Sequence, residues 1–170
     1  MPATPDDLFV FLDRLGIVHT TVGHPPLFTV EQSQGLRGTI PGGHTKNLFL
    51  RDKKGAFYLV VALEDTAIAL KDLHRRLGAS GRFSFGSAAA MSELLGVVPG
   101  SVTPFAAIND TNGQVAVVLD RAMLRHDVLN FHPLVNTMTT SISKAGLLKF
   151  LAATGHEPRL ESISGEAGTN

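Results

Sequence analysis

Strand pairs joined by turn clusters, interleaved in one chain with segments of helical apolar spacing, predict a mixed α/β or α+β domain. The 170 residues are 44% hydrophobic, which suits one real core, since a domain of this size buries about 70% of its unfolded surface. No internal repeat, low-complexity block or composition break marks a second domain. The domain is therefore expected over residues 1–163, with a fraying polar tail at 164–170.

Thr4, Pro5 and Asp7 have the form of a helix start, and Leu8, Phe11, Leu12 and Leu15 repeat at helical spacing until Gly16. Ile17 to Val22 reads as a short strand ended by Gly23-His24-Pro25-Pro26, and Thr29 with Gln32 resembles a capping box for a second short helix. Leu48–Arg51 and Ala56–Leu63 are strands of a hairpin turning at Asp52-Lys53-Lys54-Gly55. Helices follow at Ala67–Leu77, stopped by Gly78, and at Ser87–Leu95, stopped by Gly96. Val97 to Pro104, bounded by proline and glycine, reads as a structured loop. Phe105–Ile108 and Gln114–Leu119 flank the turn cluster Asn109 to Gly113 and read as a second hairpin. Val128–Phe131 and Met138–Ile142 are further strands, and Ser143 caps a final helix that runs to Ala153 before Gly155.

Composition excludes several chemistries. The absence of cysteine removes disulfides, thiolate nucleophiles and sulfur-ligated metal centres together. No G-x-S-x-G elbow occurs; Gly81-Arg82-Phe83-Ser84-Phe85-Gly86 has the wrong spacing. The histidines at 19, 24, 44, 74, 126, 132 and 156 form no H-E-x-x-H pattern, so no metal is expected. There is no Walker A loop, and Gly35-Leu36-Arg37-Gly38 is too short for a dinucleotide fingerprint. Fifteen Lys and Arg against fifteen Asp and Glu leave no net charge, so any RNA contact must be local. Met1 to Asp7 lacks the basic and apolar regions of a signal peptide, and no apolar run reaches the roughly 18 residues of a span, so a cytoplasmic protein with no membrane partner is expected. The sequon Asn109-Asp110-Thr111 then has no consequence.

The stretch from Gly42 to Leu50 stands out, because two glycines open into a strand-like run with Lys46 at its mouth. Strands usually start with β-branched or aromatic residues, so a long cation beside Asn47 suggests a ligand carrying anionic or carbonyl oxygen; the alternative is a lysine snorkelling at a strand end. Adjacent strand residues face opposite sides, so Lys46 and Asn47 cannot both enter one pocket from a regular strand. Either the strand begins after Asn47 or one of the two residues is structural. The preceding glycines favour an irregular start, which keeps Asn47 as a site candidate behind Lys46 and ahead of Thr45 and His44.

Thr45-Lys46-Asn47-Leu48-Phe49-Leu50 with its charged turn is followed by Gly100-x-x-x-Pro104, His132-Pro133-Leu134-x-Asn136-Thr137 and Gly155-His156-x-Pro158. In this order the motifs resemble the YbaK/ProX group of aminoacyl-tRNA deacylases over most of the chain. His132-Pro133 with Asn136-Thr137 is most similar to the freestanding ProX type, which clears alanine from proline tRNA and is related to the editing domain of bacterial prolyl-tRNA synthetases. The cysteine-specific YbaK branch matches less well.

The resemblance implies a mixed, mostly antiparallel sheet or partial barrel flanked by helices, no cofactor, and a tRNA partner held at its acceptor end. Prolyl-tRNA synthetase or an elongation factor are the candidate protein partners. The implied reaction is ester hydrolysis, in which charge develops on the carbonyl oxygen. Lys46 is then the candidate to hold the terminal adenosine's phosphate or carbonyl, and the backbone N–H groups of Gly100 and Ser101, between Pro99 and Pro104, are the candidate oxyanion site. His132 is the candidate to orient water or the ribose hydroxyl, its alternative being a core histidine packed on Pro133. With neither thiol nor serine elbow, direct attack by water without a covalent intermediate is the economical mechanism.

Alanine selectivity needs bulky walls, for which Leu27, Phe28, Ile40, Leu129, Phe131 and Met138 are candidates, each otherwise a core residue. Among the basic residues at 37, 51, 53, 54, 71, 75 and 76, Lys53 and Lys54 at the hairpin tip are placed to touch phosphates, their alternative being a solvated turn. Two other readings stay open: deacylation of cysteine or another small amino acid, and a noncatalytic module that binds aminoacylated RNA.

Overall fold

The computed structural model describes residues 1–26 and 39–164. The short helix expected at Thr29, the loop at Gly35, the candidates Leu27, Phe28 and Arg37, and the tail from residue 165 lie outside the described residues.

Helix α1 (Pro5–Arg14) starts on a reciprocal capping box: Asp7 N–H donates to Thr4 Oγ1 at 3.1 Å, and Thr4 N–H donates to Asp7 Oδ2 at 2.9 Å. The strands are β1 (His19–Gly23), β2 (Gly43–Arg51), β3 (Phe57–Leu63), β4 (Ser84–Phe85), β5 (Val115–Asp120), β6 (Val128–Phe131), β7 (Met138–Ser143) and β8 (Arg159–Glu161). They form one sheet in the order β1-β7-β6-β2-β3-β5-β8, with β4 paired to β2. Pairings β1–β7, β7–β6, β2–β3 and β2–β4 are antiparallel, whereas β2–β6, β3–β5 and β5–β8 are parallel. The sheet is thus mixed, with parallel pairings nearly as numerous as antiparallel ones.

Alternation along the central strands divides the sheet into two faces. Phe49, Leu59, Val61, Val117, Leu129 and Phe131 point to the main core, which they share with Leu8 and Leu12 of α1, Leu95 of α3 (Ala88–Leu95) and Phe150 of α4 (Lys144–Ala153). Leu50, Val60, Ala62 and Val118 point the other way, under Leu73 and Leu77 of α2 (Leu70–Leu77). Among the described residues, no helix is long and apolar enough to cross a membrane.

Three sequence expectations are corrected. Phe105–Ile108 is not a strand but part of a 3-10 helix, Pro104–Asn109, capped by Thr103 Oγ1, which accepts from Phe105 N–H at 3.2 Å. Pro104, Phe105, Ala106 and Ala107 are all buried, a run without the alternation of a half-exposed strand, and the expected second hairpin gives way to β5 pairing in parallel with β3. Strand β2 begins at Gly43 rather than Leu48, so Lys46 and Asn47 sit inside a regular strand. Helix α2 begins at Leu70 rather than Ala67; the Thr66 carbonyl, which a longer helix would need, accepts from Lys46 Nζ instead.

Strand β2 joins the two halves of the sheet through a short parallel pairing with β6, Gly43↔Leu129 and His44↔Asn130. Gly42 adopts φ +104°, and a Cβ there would lie 2.8 Å from the Val128 carbonyl oxygen. Gly42→Ala is therefore expected to lower the unfolding free energy by about 2 kcal/mol or more in urea titration. Gly113→Ala, also at positive φ but with nothing within 4 Å, should cost only about 1 kcal/mol. Equal losses at the two positions would contradict the close-approach argument.

Candidate functional site

Strand β3 occupies one edge of β2 from Thr45 to Arg51. On the other edge, β6 pairs only with Gly43 and His44, and β4 only with Leu50 and Arg51. Gly86 N–H extends the β4 side by donating to Phe49 O at 2.9 Å, and Thr45 Oγ1–H extends the β6 side by donating to Asn130 O at 2.7 Å. Between these two contacts no described strand pairs with this edge, which leaves residues 46–48 without a strand partner on that side among the described residues.

Backbone alternation shows which groups face the opening. His44 O accepts from Glu64 N–H on the β3 side, whereas Phe49 O accepts on the open side. Odd-numbered residues of β2 therefore direct their N–H and C=O outward, so the Asn47 amide faces the opening. A ligand seated at a strand edge meets side chains from both faces, which removes the parity objection raised by the sequence. Lys46 lies on the face of Leu48 and Leu50, and Asn47 on the face of Phe49. Asn47 Oδ1 is buried and has no hydrogen-bond donor among the described residues. Such an orphan acceptor costs about 1–3 kcal/mol unless a ligand supplies the donor.

The β2–β6 register ends at His44↔Asn130, and Lys46 and His132 each follow two residues later along their own segments. The Lys46 ammonium donates to Thr66 O, which aims it with two further donors to spare. His132 Nδ1–H donates to Met138 O at 3.0 Å, so the imidazole carries its proton on Nδ1 and offers Nε2 as an acceptor. Burial pulls the His132 pKa below the ordinary histidine value of 6.5; the bond to Met138 O opposes this and the nearby His24 adds to it. The two rings lie 6.3 Å apart. His24 is itself fixed, Nδ1–H donating to Pro25 O and Nε2 accepting from the Thr139 hydroxyl, both at 2.8 Å. The β6–β7 connection that presents His132 forces buried Leu134 to φ +73°, a left-handed conformation costing a non-glycine residue about 1–2 kcal/mol. Strain of this kind is retained where the surroundings over-determine a geometry, often at a site.

The remaining candidates divide. Ser101 is buried and its N–H donates to Val98 O at 3.0 Å, which closes a turn and spends the amide; Gly100, exposed at φ +94°, donates to no described residue. Phe105, at the end of that loop, packs edge-on against Phe131 with ring centroids 5.7 Å apart, so the loop and the His132 turn share one anchor. Leu129 and Phe131 face the main core, away from His132, and Ile40 is buried, its carbonyl accepting from His44 Nε2–H at 2.9 Å. Met138 is half-buried beside His132, which it touches through its carbonyl. Lys53 and Lys54 are exposed at the β2–β3 turn, at the opposite end of β2 from Lys46. Among the described residues, no group of three or more His, Cys, Asp or Glu side chains is placed to hold a metal ion.

Four contributors escaped the sequence reading: His24, Thr66, Asn130 and Thr139. Thr66 acts through its carbonyl and leaves no sequence signal, but Asn130, an amide inside the apolar run Val128–Phe131, was a legible anomaly. It is 2% exposed, donates from Nδ2 to Pro41 O at 3.0 Å and to Gly43 O at 3.3 Å, and accepts from Ser141 Oγ.

Residues 24–150 match the aminoacyl-tRNA editing domain family. A zebrafish relative named prolyl-tRNA synthetase associated domain-containing protein 1 is 41% identical over 159 residues, covering 92% of this chain and 86% of that protein. The prolyl-tRNA editing protein ProX of Acetoanaerobium sticklandii is 36% identical over 146 residues, covering 85% of this chain and 88% of its own. A solved structure described as a candidate trans-editing enzyme for prolyl-tRNA synthetase shares the fold, with TM-score 0.71 at 18% identity over 96% of this chain and 99% of that one.

Two outcomes follow from this geometry. The Hε1 resonance of His132 should titrate with a midpoint below 6.5; a midpoint at or above that value would contradict the burial argument. Because the native state then binds fewer protons than the unfolded chain, this group's contribution to stability falls as pH drops below about 6.5. Asn130→Ala strands two carbonyls and a hydroxyl and is expected to cost about 2–3 kcal/mol in denaturant titration, against a few tenths for a typical exposed substitution.

Proposed function

Since the chain belongs to the aminoacyl-tRNA editing domain family, we propose that it is a trans-acting deacylase that hydrolyses the ester of mischarged proline tRNA, removing alanine. The observation that carries this reading is the edge of β2 at residues 46–48, with which no described strand pairs. Along it lie a half-buried ammonium held by the Thr66 carbonyl and an outward backbone amide with an orphan side-chain acceptor, and His132, with Nε2 as an acceptor, follows the last residue of β6.

On this reading the 3′-terminal ribose enters the opening with its ester carbonyl toward Lys46 and the Asn47 N–H, which take up the charge that develops on the oxygen. Gly100 supplies a further amide from its exposed turn; Ser101, whose N–H is spent, supports the turn. Asn47 Oδ1 accepts from the α-ammonium of the aminoacyl group, filling the vacant donor position. His132 Nε2 accepts a proton from the attacking water, directly or through the ribose 2′-hydroxyl, and the ribose 3′-oxygen leaves with a proton as the carboxylate is released. His132 is suited to this because burial keeps it neutral at physiological pH. Thr45 holds the β6 side of the opening through Asn130 O, and Met138 lies where a longer side chain would press. Discrimination by size yields about 1–3 kcal/mol per methylene, enough to favour alanine over larger residues. The reading sets the protein in the cytoplasm, where tRNA is charged.

The test is a panel of proline tRNA carrying alanine, cysteine, serine or proline. Alanine is expected to be released fastest, and Lys46→Ala to lower kcat/KM roughly 100-fold or more with an unchanged melting transition. Unchanged turnover in that variant would defeat the mechanism. Release of cysteine ahead of alanine would reassign the substrate, and tight binding of charged RNA without turnover would make the protein a binding module.

A further inference from the structure

A second feature lies at the far end of β2. Phe85 of β4 is 64% exposed, unusual for an aromatic ring, and its register partner is Leu50, so it shares the face of Lys46, Leu48 and Leu50. Along the strand, Lys46 and Leu50 are four residues apart, about 13 Å. Phe85 therefore borders the same open edge as the ester site, one reach along it.

Four exposed cations lie on the two segments that meet at this end of β2. Arg51, Lys53, Lys54 and Arg82 are all exposed, and none makes an ion pair with a described residue. The turn that carries the lysines is docked on the segment that carries Arg82 and Phe85: Lys53 N–H donates to Ser80 O at 2.8 Å, and Ser80 N–H donates to Asp52 Oδ2 at 3.2 Å. The Lys53 side chain lies against Gly81, where a Cβ would come within 2.3 Å of it, and the Arg51 guanidinium lies over Gly55. Segments 51–56 and 80–87 contain one carboxylate, Asp52, which is buried and spent on the amides of Lys54, Ala56 and Ser80. In a chain with no net charge, these two segments carry no exposed carboxylate.

We propose that Phe85 is a base-stacking platform for the single-stranded 3′ end of the RNA substrate, with Arg51, Lys53, Lys54 and Arg82 contacting its phosphates. An exposed ring beside cations is how single strands are held without sequence readout, stacking supplying a sequence-tolerant contact and the cations the attraction. At about 3.4 Å per stacked nucleotide, the 13 Å between Lys46 and Leu50 spans roughly four nucleotides. A terminal ester at Lys46 thus sets an upstream base over Phe85. This assignment rests on the deacylase reading for the polarity of the strand, but its test uses uncharged RNA and so does not depend on hydrolysis.

The experiment measures the Kd of a labelled, uncharged RNA hairpin carrying the acceptor stem and single-stranded 3′ end of proline tRNA, across a salt series, with circular dichroism as a check of folding. Phe85→Ala and Phe85→Leu are expected to weaken binding roughly tenfold at every salt concentration, leaving the salt slope unchanged, while Phe85→Tyr binds as the parent does. The leucine variant keeps apolar area but loses the ring, so it separates stacking from general burial. Arg82→Ala is expected to reduce the slope of log Kd against log salt by about one. A 2-aminopurine placed in the 3′ end should be quenched by the parent and not by Phe85→Leu. Parent-like affinity in Phe85→Ala overturns the proposal and leaves the patch to a protein partner. Equal binding of a hairpin lacking the 3′ single strand, or no binding of the intact hairpin by the parent, overturns it as well. If the RNA binds through Phe85 but no charged tRNA is hydrolysed, the deacylase reading falls and the stacking platform stands.

Discussion

The structure depends on the two-residue parallel pairing of β2 with β6, because among the described strands it is the backbone ladder that links β1, β7 and β6 to the strands beyond β2. So short a ladder supplies few backbone hydrogen bonds, and side-chain and steric devices complete it. Asn130 reaches across to the Pro41 and Gly43 carbonyls while receiving the Ser141 hydroxyl, which joins β2, β6 and β7 through one buried amide. Gly42 and Gly43 let the backbones approach, since a Cβ on either would meet Val128, His126 or Leu63 at about 3 Å or less. If the pairing continued, β2 would be sealed along its whole length. Because it stops at His44, and β4 takes up the edge only at Leu50, a gap remains between the described strands in the middle of the sheet.

That gap explains how neighbouring strand residues can serve one ligand. A pocket over the face of a sheet can be served by Lys46 or by Asn47, but an opening at the strand edge is reached by both, and by the backbone amide between them. The polar side of the opening is assembled from four chain segments: Thr66 aims the lysine, Met138 sets the tautomer of His132, and Thr139 fixes His24 beside it. Two of these supports are backbone carbonyls, so the side chains that face a ligand are oriented by groups indifferent to the identity of the supporting residue. The His156–Asp110 pair, buried with Nε2 and Oδ2 2.8 Å apart, is remote from this opening and ties the end of α4 to the turn before β5, where Asp110 also accepts from the Gln114 and Val115 amides. The closing motif around Gly155 and His156 is thereby accounted for as architecture.

Charge follows the same economy. With equal numbers of acidic and basic residues, attraction for RNA has to come from where the charges sit. At the β2–β3 turn the single carboxylate is turned inward as a turn-forming acceptor. Burial there pushes Asp52 up, and hydrogen bonds from the Ala56, Ser80, Lys54 and Gly55 amides outweigh it, holding the carboxyl below its usual range. The exposed charges of segments 51–56 and 80–87 are all positive.

Local sequence determined much of this protein. Thr4, Ser87 and Ser143 each cap the helix they introduce, because a cap is a bond between residues three apart. The strand Val128–Phe131 and, to within one residue, the strand expected at Ala56–Leu63 were likewise legible, from apolar runs bounded by turn residues, and Lys46 and His132 drew notice as polar residues placed where packing does not call for them. What only the tertiary structure decided is long-range: that Phe105–Ile108 coils into a 3-10 helix under the core, that β5 lies parallel to β3, that Asn130 clamps β2, and that Phe85 stands uncovered at the edge. The physical reason is the range of the forces. Capping and turn chemistry act within a few residues and are written in order along the chain, whereas strand register, a gap in strand pairing and the exposure of a ring depend on which distant segments exclude water together.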